Sequence, residues 1–258
     1  MKRAGILKLI IGAFLSASAG VLVFLTRATA LSEGAEAVQM IPFALSLICL
    51  SVGVMLVITA FLPQRKAVDV RTLTFAAMFA ALCYIGFTYC KIDIPVGAEK
   101  TAFHLGNVFC VLAALFLGGF WGGMAGAVGM TVADLTTAYV TSAPKTFILK
   151  LGIGLITGFV AHKIFHLSKD GGTKLSLPAA TVLSCTAGML FNVVADPLVG
   201  YFYKMYVLGV PQEAATIWAK MGAVTTAVNA VIAVVAASVF YLALRPALKR
   251  SGTLPKVN

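Results

Sequence analysis

Long unbroken apolar runs dominate this chain, and they leave few architectures open. Eight of them stand near residues 5–26, 40–62, 72–90, 104–119, 122–140, 146–166, 177–200 and 216–243. About 20 apolar residues in a helix cross the roughly 30 Å hydrocarbon layer of a bilayer. No water reaches that layer, so backbone N–H and C=O groups must pair within the protein. Helices or a closed barrel meet that demand, and runs this long and continuous predict helices. Charged residues are 11% of the chain, against about a quarter in an ordinary soluble domain. With mean hydropathy at +0.97, the expectation is an all-α integral membrane protein with eight transmembrane helices.

The net charge of +11 belongs to topology. The cations lie between the apolar runs, where Lys and Arg mark cytoplasmic loops. An N-terminus placed inside puts Lys2, Arg3, Lys8, Arg65, Lys66, Arg71, Lys163, Lys169, Lys174, Arg245, Lys249, Arg250 and Lys256 on that side. Arg27, Lys91, Lys100, Lys145, Lys150, Lys204 and Lys220 fall outside or at outer helix ends. The chain is therefore expected in the cell (plasma) membrane, multi-pass, with both termini cytoplasmic. Nothing in it resembles a nucleic-acid-binding module, so no nucleic acid partner is expected. Cys49, Cys83, Cys90, Cys110 and Cys185 lie in or beside apolar runs without a CxxC pair. They read as small buried side chains, with no disulfide and no metal.

The stretch "LPQRKAVDVRT" (Leu62–Thr72) punctuates the runs with Pro63 and charge, as a module boundary does. We divide the chain into an N-terminal extension with two transmembrane helices (1–68), a six-helix membrane domain (69–248) and a cytoplasmic tail (249–258). "MKRAGILK" and Ala28-Thr29-Ala30 have the look of a signal peptide and its cleavage site. The apolar stretch between them exceeds the usual core of about 7–15 residues, so a retained helix is expected.

Polar residues inside such runs are costly and point to function or pairing. "FHLGN" opens the fourth run with His104 and Asn107, three residues apart and on one face if helical. The orientation puts both at the outer membrane end. Asp134 falls in the outer half of the fifth run, Lys145 and Lys150 at the outer start of the sixth, Asn192 and Asp196 near the outer end of the seventh. Pro197 predicts a bend or thinning of that helix. Asn229 sits nearer the middle of the last run. A one-sided polar cavity open to the outside accounts for this distribution, since a small-molecule pocket is apolar with a few convergent polar groups. Tyr139, Tyr201 and Tyr203 are candidate ring contacts. Plainer readings stand beside these. Asn107 and Asn192 could bond across helices, Asp134 could pair with Lys150, His104 could sit at headgroup level, and Tyr201–Tyr206 could form an interfacial belt.

Small-xxx-small spacing lets helices approach closely. It occurs at Ala76/Ala80, Ala77/Ala81, Gly122/Gly126 and Gly154/Gly158, and as a Gly12, Ser16, Gly20 face. It serves either internal packing or docking of another subunit. "GGFWGG" is expected to be a tight helical hairpin or a re-entrant bend. Membrane-enzyme motifs of the GxSG, HExxH or paired-aspartate kind do not occur. His104 lies on the opposite membrane side from His162 and His166 in this topology, so no triad or metal cluster assembles. The chain is not expected to be an enzyme, and no catalytic residue is assigned.

"FHLGNVFCVLAALFLGGFWGGMAGAVGMTVADL" (Phe103–Leu135) and "PKTFILKLGIGLITGF" (Pro144–Phe159) resemble the S component of energy-coupling factor (ECF) vitamin transporters, in its riboflavin-type branch. The HLGN element, the Gly-rich hairpin and the later Asp carry the resemblance. It implies a six-helix S-component-like bundle that binds a vitamin or vitamin precursor in an outward-facing pocket. The loop Lys91–Phe103 would cover that pocket. Substrate-binding residues would then be His104, Asn107, Asp134, Tyr139, Lys145, Lys150, Asn192, Asp196 and Tyr201. The resemblance also implies docking on a transmembrane coupling protein through an AxxxA-type face of the bundle's first helix, matched by Ala76, Ala77, Ala80 and Ala81. Two ATPase subunits complete such a transporter. No GxxxxGK[ST] loop is present, so this chain would bind no cofactor and ATP would be used by the partners. The two added N-terminal helices depart from the six-helix pattern. A stand-alone secondary transporter is the alternative; it needs a carboxylate near the midplane, and Asp134 lies too far out.

Overall fold

The computed structural model describes residues 69–97, 99–168, 175–254 and 257. The two helices, the Leu62–Val68 part of the linker and the Gly12/Ser16/Gly20 face expected over 1–68 lie outside the described residues. Asp69–Tyr139 and Lys145–Asn258 form one compact unit, and every site residue named above belongs to it.

The unit is a helix bundle with one small hairpin. Its elements are α1 (Val70–Thr88), β1 (Lys91–Val96), β2 (Glu99–His104), α2 (Gly106–Leu117), α3 (Gly119–Leu135), α4 (Ala143–Phe159), α5 (Leu177–Phe202) and α6 (Gln212–Arg250). Asp69 caps α1, its Oδ1 accepting from the Arg71 N–H at 3.4 Å, which satisfies one of the donors a helix start leaves open. Single turns of wider π-helix follow α4 (Val160–Ile164) and α5 (Tyr203–Val207).

Among the described residues, four helical stretches are long and apolar enough to cross a membrane: Val70–Thr88, Val140–Ile164, Leu177–Val207 and Gln212–Arg250. The other two runs are shorter than expected. At 1.5 Å per residue, α2 extends roughly 18 Å and α3 roughly 26 Å. They compensate by position. In α2 all residues but Phe109 are buried, so it runs through the middle of the bundle. Its uninterrupted apolar sequence follows from that, because a helix packed on all sides has no polar face. Val108, Val111, Leu115 and Phe116 form the core with Met130, Ile153 and Met189 from the surrounding helices. The outer helices turn large apolar side chains outward instead, among them Leu190, Val194, Val231 and Val235. A water-facing surface does not tolerate so continuous an apolar exterior.

The turn expected within "GGFWGG" is made by Gly118 alone. Its φ of 81° is left-handed backbone, which glycine adopts without steric cost. Gly119 already starts α3, so Phe120 and Trp121 are helical. The remaining glycines bring backbones together. A Cβ at Gly122 would meet the Ala114 backbone of α2, and one at Gly154 or Gly158 would meet Gly123 or Gly119 of α3. The glycine spacings of α3 and α4 are thus used for packing inside the bundle.

The loop expected over Lys91–Phe103 is a β-hairpin. Its strands pair antiparallel from Lys91 opposite His104 to Val96 opposite Glu99. The two-residue connection begins at Gly97, whose φ of 60° suits a tight hairpin turn.

Candidate functional site

The hairpin moves His104 out of the helix. It ends β2, two residues before α2 begins, so it and Asn107 share no helix face. Asn107 lies in the first turn of α2 and is 1% exposed. The two side chains still occupy the same end of the bundle, because the Leu105 N–H, bonded to the carbonyls of Gly86 (3.1 Å) and Cys90 (3.2 Å), ties the strand–helix junction to the end of α1.

The other candidates reach that end from their own helices. Asp134 stands in the last turn of α3 and is 2% exposed, with the Thr146 hydroxyl of α4 as its hydrogen-bonding neighbour. Lys145 of α4 forms an ion pair with Asp196 of α5, Nζ to Oδ1, at 2.8 Å. The other oxygen of Asp196 accepts from the Thr226 hydroxyl of α6 at 2.7 Å. Lys150 is two turns into α4, deeper than the first turn expected, because the helix starts at Ala143. It is buried, and its charge is felt by Asp134, Asp196 and His104. Asn192, one turn before Asp196, is 1% exposed. α5 continues through Pro197 to Phe202.

This end holds a group of buried polar atoms without hydrogen-bond partners among the described residues. They are His104 Nδ1, Asn107 Oδ1, Thr131 Oγ1, Asp134 Oδ2 and Asn192 Oδ1. Buried polar atoms are nearly always hydrogen-bonded, and an unpaired one costs about 1–3 kcal/mol. Several such atoms at one end of a bundle, beside a buried lysine, make that end the candidate binding site. Pairing across helices, the plainer reading of Asn107 and Asn192, leaves both amide oxygens unexplained.

Two of the tyrosines named in the sequence make contacts of their own. Tyr139 serves the hairpin: its hydroxyl donates to Asp93 Oδ1 at 2.8 Å, and Lys91 Nζ, 3.2 Å from the same oxygen, stands 4.8 Å from its ring centre. Burial, the hydrogen bond to Asp93 and the negative charge of Asp93 hold the Tyr139 phenol well above its ordinary range. Phe87 bridges Tyr139 (5.5 Å) and His104 (4.7 Å) with edge-on ring contacts. Tyr201 packs on Phe202 at 5.2 Å, while Tyr203 and Tyr139 are both close enough to feel the charge of Asp134.

Asn229 belongs to the same end, not to a separate middle layer. Its amide donates to the Ala102 carbonyl and accepts from the His104 N–H, both at 3.0 Å. Thr226 was passed over in the sequence, although its spacing of three from Asn229 puts both on one face of the last helix. The AxxxA pairs of α1 divide. Ala76 is buried and Ala80 lies against Gly129 of α3, while Ala77 and Ala81 are exposed. Of the two pairs, Ala77 and Ala81 are the exposed one.

Comparison with curated proteins and with solved structures found no match in either. A family model does match: "ECF-type riboflavin transporter, S component" over residues 67–246. That stretch contains every candidate site residue and both alanine pairs. The chain therefore belongs to the family of ECF-type riboflavin transporter S components, multi-pass membrane subunits that bind a vitamin and are not enzymes.

Proposed function

We propose that this subunit captures riboflavin, or a vitamin or precursor with a similar heteroaromatic ring, from outside the cell. The ligand enters at the hairpin end of the bundle. It is released inward when a transmembrane coupling protein, driven by two ATPase subunits, reorients the bundle. The observation that carries this reading is the set of unpartnered buried atoms on His104, Asn107, Asp134 and Asn192, beside Lys150.

Lys145 and Asp196 satisfy each other, so neither needs the ligand for charge balance. Lys150 and Asp134 are both buried, yet neither is in an ion pair within 4.0 Å among the described residues. A ligand edge with a carbonyl beside an N–H, such as a ring imide or lactam, gives an acceptor to Lys150 and a donor to Asp134. The unpartnered amide oxygens of Asn107 and Asn192 each offer an acceptor to the rest of a flat polar ring. A flavin ring has such an imide edge. The opposite end carries Arg71, Lys163, Arg245, Lys249 and Arg250, and reading it as cytoplasmic by the charge rule supports a site that faces outside. The Ala77/Ala81 face of α1 receives the coupling protein.

Native mass spectrometry of the protein purified from cells grown with riboflavin tests the ligand. A bound mass matching the vitamin is expected. A spectrum with apo protein alone, after gentle extraction in vitamin excess, contradicts the proposal.

A further inference from the structure

A two-stranded hairpin is marginal by itself, and the outer edge of β2 offers unpaired backbone groups. Two of those groups are satisfied by one side chain. The Ala102 carbonyl and the His104 N–H stand two residues apart, and so point to the same side of the strand. The Asn229 amide meets them with a donor and an acceptor, both at 3.0 Å. It supplies what a third strand would supply, and it is only 4% exposed. The same face of α6 carries Thr226, which holds the Asp196 carboxylate at 2.7 Å. One helix face thus grips the hairpin and the Lys145–Asp196 pair together. The tie on β1, Tyr139 to Asp93 at 2.8 Å, is exposed to solvent.

We propose that Asn229 is the latch of this hairpin: a positioning residue that does not touch the vitamin but keeps the β1–β2 lid closed over the site. The proposal rests on the vitamin-binding reading above. The latch is released by breaking both hydrogen bonds, after which Ala102 O and His104 N–H must find water. With Asn229→Ala they are unpaired in the closed state, and opening costs less. Asn229→Asp keeps the acceptor for His104 and loses the donor to Ala102, so it leaves half a latch.

Amide hydrogen exchange, read residue by residue in the full-length protein in nanodiscs, tests this without any ligand. The His104 N–H depends on Asn229 for its hydrogen bond, whereas the adjacent Leu105 N–H is held by Gly86 and Cys90. In Asn229→Ala, exchange at His104 is expected to speed up on the order of tenfold to a hundredfold, the loss of one to two hydrogen bonds, while Leu105 keeps its protection. Asn229→Asp should keep most of the His104 protection, which covers the case that the alanine variant does not fold. Stopped-flow release of riboflavin, used as the probe, should quicken in the order wild type, Asn229→Asp, Asn229→Ala. Unchanged His104 exchange in both variants overturns the latch. Faster exchange with unchanged riboflavin release overturns its gating role. Wild-type protein that binds no riboflavin removes the ligand assignment instead, and the exchange data still decide the latch.

Discussion

Lys145 and Asp196 meet at 2.8 Å across α4 and α5, and Thr226 occupies the carboxylate's second oxygen. That closed set contrasts with Asp134, whose Oδ2 has no partner among the described residues. Two carboxylates at one end of the bundle thus differ: one is satisfied between helices, and the other keeps an oxygen open. The pair is only partly exposed, so removing one member strands the other. Lys145→Met or Asp196→Asn should each lower stability by about 1–3 kcal/mol. The double variant should lose less than the sum, with a coupling of about 1 kcal/mol or more. Thermal unfolding of the four proteins in detergent checks the cycle; strict additivity would show that the contact contributes nothing.

The two asparagines are expected to separate stability from binding. Their amide oxygens are unpaired without ligand, so Asn107→Ala and Asn192→Ala should leave the melting temperature of the free protein within a few degrees of wild type. Each should weaken vitamin binding by about tenfold or more, the loss of one or two hydrogen bonds in a dry site. A large loss of stability with unaltered affinity would return both residues to helix packing.

Glycines at helix contacts and at the surface should respond with opposite sign. A Cβ at Gly158 runs into the Gly119 backbone, which has no side chain to move aside. Gly158→Ala should cost about 1–3 kcal/mol or prevent folding. At Gly222 of α6 no described atom lies within 4 Å of the added Cβ. Gly222→Ala should gain about 0.5–1 kcal/mol from helix propensity. Yield and thermal unfolding of the two variants distinguish them.

Tyr139 makes the hairpin sensitive to alkali. Its phenol is held above the ordinary value of 10.0 in the folded state. Above pH 10 the unfolded chain loses this proton first, so the stability it contributes is present below pH 10 and declines as pH rises further. Tyr139→Phe has nothing to ionise there. Its melting temperature should fall less steeply than that of wild type between pH 9 and 11.5, and identical slopes would remove the phenol from the account.

The alanines of α1 test the partner surface. Ala77→Trp and Ala81→Trp sit on the exposed face and should leave vitamin binding intact while reducing copurification of the coupling protein. Ala76→Trp should fold poorly, because Ala76 is 8% exposed and packed in the core. Undiminished copurification by both exposed variants would place docking elsewhere.

The long apolar runs and the gathering of Asp134, Lys145, Asn192 and Asp196 at one end were legible because lipid forbids unpaired polarity and charge orients the loops. The hairpin was less so, although Ile92, Ile94 and Val96 alternate with Asp93 and Pro95 before Gly97, a period of two. A search for membrane helices passes over a strand of six residues. The contacts of Asn229 could not be read at all, since they join residues 125 and 127 positions apart. The depth assigned to it assumed a helix confined to the membrane. In fact α6 has 39 residues and extends roughly 58 Å, so its middle in sequence need not be the middle of the bilayer.

Isothermal titration of purified wild-type protein with riboflavin, beside Asp134→Asn, tests the central claim most directly. The account expects wild-type binding tighter than about micromolar, near −8 kcal/mol or better, and at least tenfold weaker binding once the unpartnered carboxylate is replaced. Equal heats and affinities for the two proteins, or no binding by riboflavin or any other heteroaromatic vitamin, would contradict it.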